Sequence, residues 1–205
     1  MLKIFKMVSD YIDANVYVVK NEEDYLIIDS GVDLNIIKNI VGENKVVGVL
    51  LTHGHYDHSR FCVEYAKEFN CKIYANKNVT GTLFDKEAIY SPNGELVQDL
   101  SRFIFIEGDT KLKLGNFEID CFYCPGHCKC CQCYLIEGNL FAWDVLFDRG
   151  LGRIDLKTSN KEEMLNSLAK LEKIKFNTLY SGHGDESDFN EQQRNIYICK
   201  RFLKR

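Results

Sequence analysis

The stretch Thr52-His53-Gly54-His55-Tyr56-Asp57-His58 decides how this chain is interpreted. It continues an apolar run over residues 46–52 that is typical of a strand buried on both faces. Neutral imidazoles and a carboxylate are donors that suit Zn or Fe. Four donors within six residues cannot all reach one ion without strain, so the pattern H-x-H-x-D-H predicts two adjacent metal ions.

The other two histidines and one aspartate lie in similar contexts. His127 follows the Pro125-Gly126 turn, Asp144 follows a predicted strand over residues 140–143, and His183 lies between two glycines. A single histidine is usually a surface residue or a satisfied core group. All five histidines of this chain lie at predicted strand ends beside turn residues, which favours one common metal centre.

The composition excludes several classes of partner. The 205 residues carry 26 Lys+Arg and 30 Asp+Glu, a formal charge of −4, which argues against nucleic acid or an anionic membrane surface. The length predicts a single domain over residues 1–205. Residues 1–10 lack the apolar core of an export signal, and the chain offers no stretch of about 18 apolar residues. The sequence therefore predicts a cytoplasmic protein with a small-molecule substrate and no membrane partner.

Nine cysteines in a chain without a visible export signal indicate reduced thiols rather than disulfides. Six of them cluster over residues 121–133: Cys121, Cys124, Cys128, Cys130, Cys131 and Cys133. One hypothesis is a further metal or Fe–S site, or a redox switch beside His127. The other is that cysteine serves as a small buried apolar residue. The cluster lacks two successive C-x₂-C pairs, which favours the second hypothesis, and Cys128 could still make the site sensitive to oxidation.

Short β-rich runs alternate with helical patterns along the chain. The predicted order is a hairpin (15–20 and 25–29), a helix between Asp33 and Gly42, strand 46–52, a helix capped by Ser59 and running to Asn70, strand 72–75, a loop region (77–107), strands 112–114, 117–124, 133–137 and 140–143, a helix (160–173), strand 178–181 and a last helix (190–203). Such an order predicts two packed sheets with helices outside.

These motifs resemble those of the metallo-β-lactamase fold hydrolases. Asp29-Ser30-Gly31 is similar to the family's first motif, the 53–58 stretch to the second, and His127, Asp144 and His183 to the third, fourth and fifth. The resemblance covers most of the chain. It implies an α/β fold, a four-layer αββα sandwich with its site at the sheet edges.

The resemblance also implies a ligand set. It assigns His53, His55 and His127 to a first ion, Asp57, His58 and His183 to a second, and Asp144 to a bridge between them. Two zinc ions are the implied cofactors, with Fe or Mn as alternatives.

The stretch from Asp144 to Phe147, followed by residues 150–155, resembles the glyoxalase II-like branch. That branch implies a hydrolase in which a metal-bridged hydroxide attacks a small thioester or ester carbonyl. Asp57 is the expected catalytic residue, orienting the hydroxide and transferring its proton. Only 22 residues follow His183, so the helical domain that holds glutathione in full-length glyoxalase II is not predicted.

The chain departs from the family pattern beside the predicted bridge. Trp143 stands where a small residue, most often glycine, precedes the aspartate, and Asp148-Arg149 replaces small residues in the following loop. The indole either packs beneath the strand or narrows the pocket. We expect Arg153 to tie this loop through a carboxylate pair.

Two other functions stay open at this point. A persulfide dioxygenase uses related ligands around a single iron. A non-catalytic metal or redox sensor on the same fold would use the cysteine cluster as its working part.

Overall fold

Two six-stranded sheets pack face to face in this protein, for which a computed structural model describes residues 2–205. The first sheet has the order β1-β2-β3-β4-β5-β6 and the second β12-β11-β10-β9-β8-β7. The strands are β1 (Lys3–Val8), β2 (Asn15–Asn21), β3 (Asp24–Ile28), β4 (Lys45–Leu51), β5 (Ile73–Asn76), β6 (Phe103–Ile106), β7 (Thr110–Leu114), β8 (Phe117–Tyr123), β9 (Gln132–Ile136), β10 (Asn139–Phe141), β11 (Thr178–Tyr180) and β12 (Ser187–Asp188).

Both faces of the first sheet are buried, and strand β2 shows why. Its side chains alternate between the two faces: Tyr17 and Val19 join the core between the sheets, whereas Val16 and Val18 join the core beneath the helices. Strands β3 to β6 run parallel. Buried parallel strands favour continuous apolar runs, which explains the sequence of β4.

Residues 2–205 contain six α-helices, of which the longer ones cover the outer faces of the sheets. They are α1 (Leu34–Val41), α2 (Tyr56–Ser59), α3 (Cys62–Glu68), α4 (Thr80–Leu83), α5 (Lys161–Leu171) and α6 (Phe189–Leu203). The side chain of Asp33 caps α1 and Gly42 ends it, as predicted. Helix α3 packs against β4 and β5, and α5 packs against α6. The αββα sandwich expected from the sequence is confirmed.

The predicted helix from Ser59 to Asn70 is wrong at its start. Helix α2 begins at Tyr56, and a break separates it from α3. Ser59 caps neither helix, because its hydroxyl donates to the carbonyl of Gly54 at 3.1 Å. This bond stabilises the tight turn that carries the histidines.

Three edge strands, β1, β6 and β12, were not predicted, and strand β10 is shorter than expected. Strand β6 lies within the predicted loop region 77–107; Ile104 and Phe105 are both exposed there, so the run lacks the alternation that marks a half-buried strand. Strand β1 pairs with β2 at the opposite edge. Strand β10 ends at Phe141, and Trp143–Val145 form a 3₁₀ turn instead of the predicted strand end.

Within residues 2–205, no helix combines the length and the apolar character needed to cross a membrane.

Candidate metal centre

The seven predicted ligands all lie together at one edge of the sandwich. Strand β4 leads directly into the 53–58 loop, the β8–β9 connection carries His127, β10 leads to Asp144, and β11 leads to His183. The structure therefore brings together at one locus residues that are up to 130 positions apart in the chain.

Three imidazole nitrogens form the first donor group. Nδ1 of His55 lies 3.1 Å from Nε2 of His53 and 2.9 Å from Nε2 of His127. All three side chains are buried. Nitrogens bound to one tetrahedral Zn²⁺ at about 2.0–2.1 Å lie roughly 3.3 Å apart, so this spacing suits a single ion.

The remaining nitrogen of each imidazole in this group has a partner of its own. His53 Nδ1 lies 3.1 Å from the hydroxyl of Thr52, His55 Nε2 lies 3.3 Å from that of Thr158, and His127 Nδ1 lies 2.9 Å from the carbonyl of Arg153. Because a carbonyl only accepts, His127 carries its proton on Nδ1 and leaves Nε2 free. Such contacts fix the ring orientations of metal ligands.

Asp57, His58 and His183 form the second donor group. Oδ2 of Asp57 lies 3.0 Å from Nε2 of His58 and 3.4 Å from Nε2 of His183. His183 is the most open of these ligands, with 26% of its side chain exposed. Solvent therefore meets the centre on the His183 side.

Asp144 lies between the two groups. Its Oδ2 is 3.4 Å from Nε2 of His127 in the first group and 3.7 Å from Nε2 of His183 in the second. Its Oδ1 is 3.6 Å from Nε2 of His58. A carboxylate in this position is able to reach two adjacent ions at once.

Two buried atoms of this cluster lack a hydrogen-bond partner among the described residues: His58 Nε2 and Asp144 Oδ1. The contact of His58 Nε2 with Asp57 does not have hydrogen-bond geometry, although it is short. Leaving a buried polar atom unpaired costs about 1–3 kcal/mol. A bound cation would satisfy both atoms, so the residues present fit a metal.

The charges of the two groups differ. Burial, followed by the neighbouring imidazoles, holds the pKa of His53 and His55 well below the usual range, so both rings are neutral at pH 7. Burial also opposes charge on His58, but Asp57, Asp144 and Asp29 outweigh it and raise the pKa of that ring well above the usual value. The second group thus holds positive charge more readily than the first.

Asp29 organises the centre from beneath, a role that the sequence did not reveal. Its carboxylate accepts from the backbone N–H of Thr52 at 2.8 Å and from its hydroxyl at 2.7 Å, and Oδ2 lies 2.9 Å from His58 Nδ1. Asp29 is fully buried with φ +60°. The similarity of Asp29-Ser30-Gly31 to the family's first motif assigned no role to Asp29.

Trp143 packs beneath the centre and does not narrow a pocket. The indole is 1% exposed, and its ring meets Tyr17 edge-on with centroids 5.4 Å apart. The backbone of Trp143 has φ +42°, a conformation that favours glycine. That conformation explains why a small residue is usual here, and the aromatic packing explains how tryptophan is accommodated.

Two glycines allow the loops to come close. A Cβ on Gly31 would lie 1.9 Å from the carbonyl oxygen of Asp57, and a Cβ on Gly182 would lie 2.2 Å from Oδ1 of Asp144. A larger residue at position 31 would displace Asp57 of the second donor group, and one at position 182 would displace Asp144, which lies between the groups.

Arg153 forms the expected carboxylate pair, and its partner is Asp155, with two contacts of 2.9 Å. Both side chains are exposed. The link to the metal centre runs through the Arg153 backbone, whose carbonyl binds His127.

The cysteine cluster is buried and separate from the donor groups. Cys128 Sγ lies 3.2 Å from that of Cys130 and 3.0 Å from that of Cys131, and all nine cysteines of the chain are free. Burial raises the pKa of Cys131 to about 11 and that of Cys128 well above its usual value. A protonated thiol is a poor ligand and nucleophile, so this environment favours the packing hypothesis.

Two cavities flank the centre. One, of about 1220 Å³, lies between the 148–155 loop and α6. The other, of about 470 Å³, is lined by Thr158, Lys129 and Asn160 among others. Since the Thr158 hydroxyl also contacts His55, this smaller cavity adjoins the first donor group.

Comparison with known proteins agrees with this geometry. The family model of the metallo-beta-lactamase superfamily matches residues 11–183. The chain is 32% identical to the probable metallo-hydrolase YqgX of Bacillus subtilis, over 91% of this chain and 93% of that protein. It is 27% identical to the hydroxyacylglutathione hydrolase of Shewanella pealeana, over 80% of this chain and 54% of that protein.

A solved structure gives the same fold. The crystal structure of the BLEG-1 B3 metallo-beta-lactamase superposes with a TM-score of 0.84 at 23% identity, covering 96% of this chain and 99% of that one. With the family match extending from residue 11 to residue 183, these similarities show that the chain belongs to the metallo-beta-lactamase superfamily.

Proposed function

We propose that the protein is a dinuclear metal-dependent hydrolase of the glyoxalase II-like group, acting on a small thioester or ester. The observation that carries this proposal is Asp144, whose carboxylate lies within 3.7 Å of imidazole nitrogens from both donor groups. The second donor group supports the same conclusion, because a single ion held by the first group would leave Asp57, His58 and His183 unused.

The donor set supports zinc as the resident metal, with iron or manganese as alternatives. His53, His55 and His127 would hold one ion, Asp57, His58 and His183 the other, and Asp144 would bridge them. When bound, two such ions lower the pKa of a water molecule and polarise a carbonyl oxygen.

The protein's own residues orient the reactants. Burial opposes ionisation of Asp57, but the cationic character of His58 and hydrogen bonds from the neighbouring imidazoles hold the pKa of this carboxyl well below its usual range. Asp57 is therefore ionised at neutral pH and accepts a hydrogen bond from the attacking water. It is the residue that we assign to orienting this water and moving its proton.

The smaller cavity supports a small substrate. Its volume of about 470 Å³ lies within the range of roughly 300–1000 Å³ found for ligand pockets. No predicted ligand lines this cavity, but Thr158 on its wall contacts His55 at 3.3 Å, so a substrate held there lies one side chain from the first donor group. The relatives named hydroxyacylglutathione hydrolase are longer than this chain, and the match covers only 54% of one of them. We therefore do not propose glutathione as part of the substrate.

A hydrolysis screen tests the proposal. Zinc-loaded protein is assayed against acyl thioesters, aryl esters, lactones and a β-lactam. We expect hydrolysis of thioesters or esters, loss of activity with a chelator, and a fall of about 10²–10⁴-fold in Asp57→Asn. The matched control is Asp120→Asn, a carboxylate on β8 that pairs with Lys111 away from the centre.

A second assay tests the alternative function, a persulfide dioxygenase. Protein purified without added metal is analysed for its metal content and tested for oxygen uptake with a glutathione persulfide. One iron per chain, oxygen consumption and no hydrolysis would identify a persulfide dioxygenase and reject the proposal. Metal binding without either activity would identify a sensor.

A further inference from the structure

The His183 loop (residues 181–184) has little rigidity of its own. His183 lies between Gly182 and Gly184, and glycine loses more conformational freedom on folding than any other residue. His183 is also the most exposed of the predicted ligands. A ligand in such a loop needs contacts from elsewhere in the fold to keep its imidazole in place.

Asn15, at the start of strand β2, binds this loop from the first sheet. Its backbone N–H donates to the carbonyl of Gly182 at 2.7 Å. Its carboxamide Nδ2 donates to the carbonyl of Ser181 at 2.9 Å and to that of Gly184 at 3.0 Å. One residue near the beginning of the chain therefore holds the carbonyls on both sides of His183, a ligand near its end.

The acceptors fix the orientation of the Asn15 carboxamide. Carbonyl oxygens only accept hydrogen bonds, so the NH₂ group, and not Oδ1, has to face the loop. Oδ1 is buried and has no hydrogen-bond partner among residues 2–205. Asn15 is 1% exposed, so a substrate does not reach it. The position therefore uses the donors of asparagine, and Asn15 acts on the metal centre through the loop.

Two neighbouring side chains of the first sheet add to these contacts. The hydroxyl of Tyr17 donates to the carbonyl of Ser181 at 3.1 Å, and Nζ of Lys6 donates to that of Gly184 at 2.6 Å. The carbonyl of His183 itself accepts from the Ser181 hydroxyl at 2.7 Å. Every carbonyl of the loop thus has a partner, and the first sheet supplies the partners on both sides of the ligand.

The position of this loop sets the distance of His183 from the other donors. Nε2 of His183 lies 3.4 Å from Oδ2 of Asp57 and 3.7 Å from Oδ2 of Asp144. A Cβ on Gly182 would lie 3.2 Å from Cε1 of His58, so the loop has no room to move inwards. Metal–ligand distances vary by only about 0.2 Å. A movement outwards, towards solvent, would therefore take the imidazole out of reach of the second ion.

We propose that Asn15 is a positioning residue for the second ion, because its three N–H donors prevent this outward movement of His183. The inference rests on the dinuclear centre of the proposed function. It adds a residue that no motif of the sequence indicated and that binds no metal itself.

Asn15→Asp tests the proposal with the least change in shape. The carboxylate removes the two N–H donors of Nδ2 and places an oxygen against two carbonyl oxygens. We expect the affinity for the second ion to fall about 10–100-fold, the usual effect of losing a group that orients a ligand. The affinity for the first ion should stay unchanged. Calorimetric titration of the metal-free protein with Zn²⁺ measures both affinities.

Asn21→Asp is the matched control. Asn21 is buried at the other end of strand β2, and its Nδ2 donates to the carbonyl of Asn116 in the second sheet at 2.9 Å. This substitution should lower the free energy of unfolding, as Asn15→Asp does, and leave both metal affinities unchanged. A merely structural role of Asn15 predicts the same metal affinities in the two variants.

A measurement without metal separates this proposal from the proposed function. NMR relaxation gives the order parameter of the His183 backbone N–H. It should fall from about 0.85 in the wild type to below about 0.6 in Asn15→Asp, and it should stay high in Asn21→Asp. A wild type that binds one ion would reject the dinuclear function, and the order parameter would still decide the role of Asn15.

An unchanged order parameter in Asn15→Asp would overturn the proposal, as would an unchanged affinity for the second ion or an equal loss in Asn21→Asp. If Asn15→Asp does not fold, Lys6→Met decides, because it removes a donor to Gly184 from a partly exposed side chain. We expect this variant to bind the second ion roughly two- to tenfold more weakly, the effect of one hydrogen bond. Wild-type affinity in Lys6→Met would then overturn the proposal.

Discussion

The indole Nε1 of Trp143 donates a hydrogen bond to Nδ1 of His58 at 3.0 Å. Oδ2 of Asp29 lies 2.9 Å from the same nitrogen. The two contacts need opposite protonation states, because Trp143 requires a lone pair on Nδ1 and the Asp29 carboxylate requires a proton there. If His58 binds a cation through Nε2 as a neutral ring, Nδ1 carries the proton and donates to Asp29.

Trp143→Phe should therefore tighten metal binding at the second group several-fold. The substitution keeps an aromatic ring against Tyr17 and removes the N–H that competes with Asp29. Competition with a chromophoric chelator measures the affinity of each ion. Weaker binding in this variant would mean that the indole supports the ligand and does not compete with Asp29.

Asp29→Asn should lower metal affinity about 10–100-fold, the usual effect of removing a group that orients a ligand. It should also reduce the free energy of unfolding by about 1–3 kcal/mol, because the buried Thr52 donors lose a charged acceptor. Calorimetric metal titration and urea denaturation measure the two effects. The exposed Asp13→Asn is the control, and an unchanged metal affinity in Asp29→Asn would contradict the role assigned to Asp29.

Metal-free protein should show two histidines that stay neutral well below pH 6.5. Because the pKa of His53 and His55 is lowered in the folded protein, the unfolded chain binds protons at these rings at a higher pH than the folded protein does. Acidification through about pH 6.5 therefore lowers the free energy of unfolding through these two residues. His58 has the opposite effect on the free energy of unfolding, because its raised pKa means that the folded protein binds the proton more tightly than the unfolded chain. NMR titration of the imidazole ring protons measures each value, and ordinary titration of His53 and His55 near pH 6.5 would contradict the prediction.

All nine thiols should be unreactive in the folded protein. The side chains are buried, and burial raises the pKa of Cys62 and Cys121 to about 12. A disulfide reagent should label almost none in the native state and all nine after denaturation. Rapid labelling at Cys128, with release of metal, would instead favour the redox sensor.

The sequence predicted that the seven histidines and aspartates lie close together, because each lies in a segment that follows a strand, and the structure brings them to one edge. Their roles as metal ligands stay a prediction. In an α/β sandwich the strand ends meet at one edge, so residues that follow different strands in the sequence lie close together in the fold. The role of Asp29 could not be predicted, since its partners Thr52 and His58 lie more than 20 residues away and the resemblance to the family's first motif implies no contact with them. The prediction that Ser59 caps a helix was wrong for a related reason. The donor residues converge in this loop, and the loop uses the Ser59 hydroxyl to bind the carbonyl of Gly54.

The edge strands β1, β6 and β12 were not predicted, because edge positions do not need a buried face and β12 has only two residues. Trp143 posed a different problem. The sequence of the chain allowed the indole of Trp143 to lie either beneath the strand or in the pocket. Only its packing against Tyr17 in the structure decides between these positions.

Metal stoichiometry tests the central claim most directly. Elemental analysis of zinc-loaded, desalted protein should give two ions per chain for the wild type. His183→Asn should give one, because it removes a ligand of the second group and leaves the three imidazoles of the first intact. One ion per chain in both proteins would contradict a dinuclear centre, and a single iron in wild-type protein purified without added metal would favour the dioxygenase.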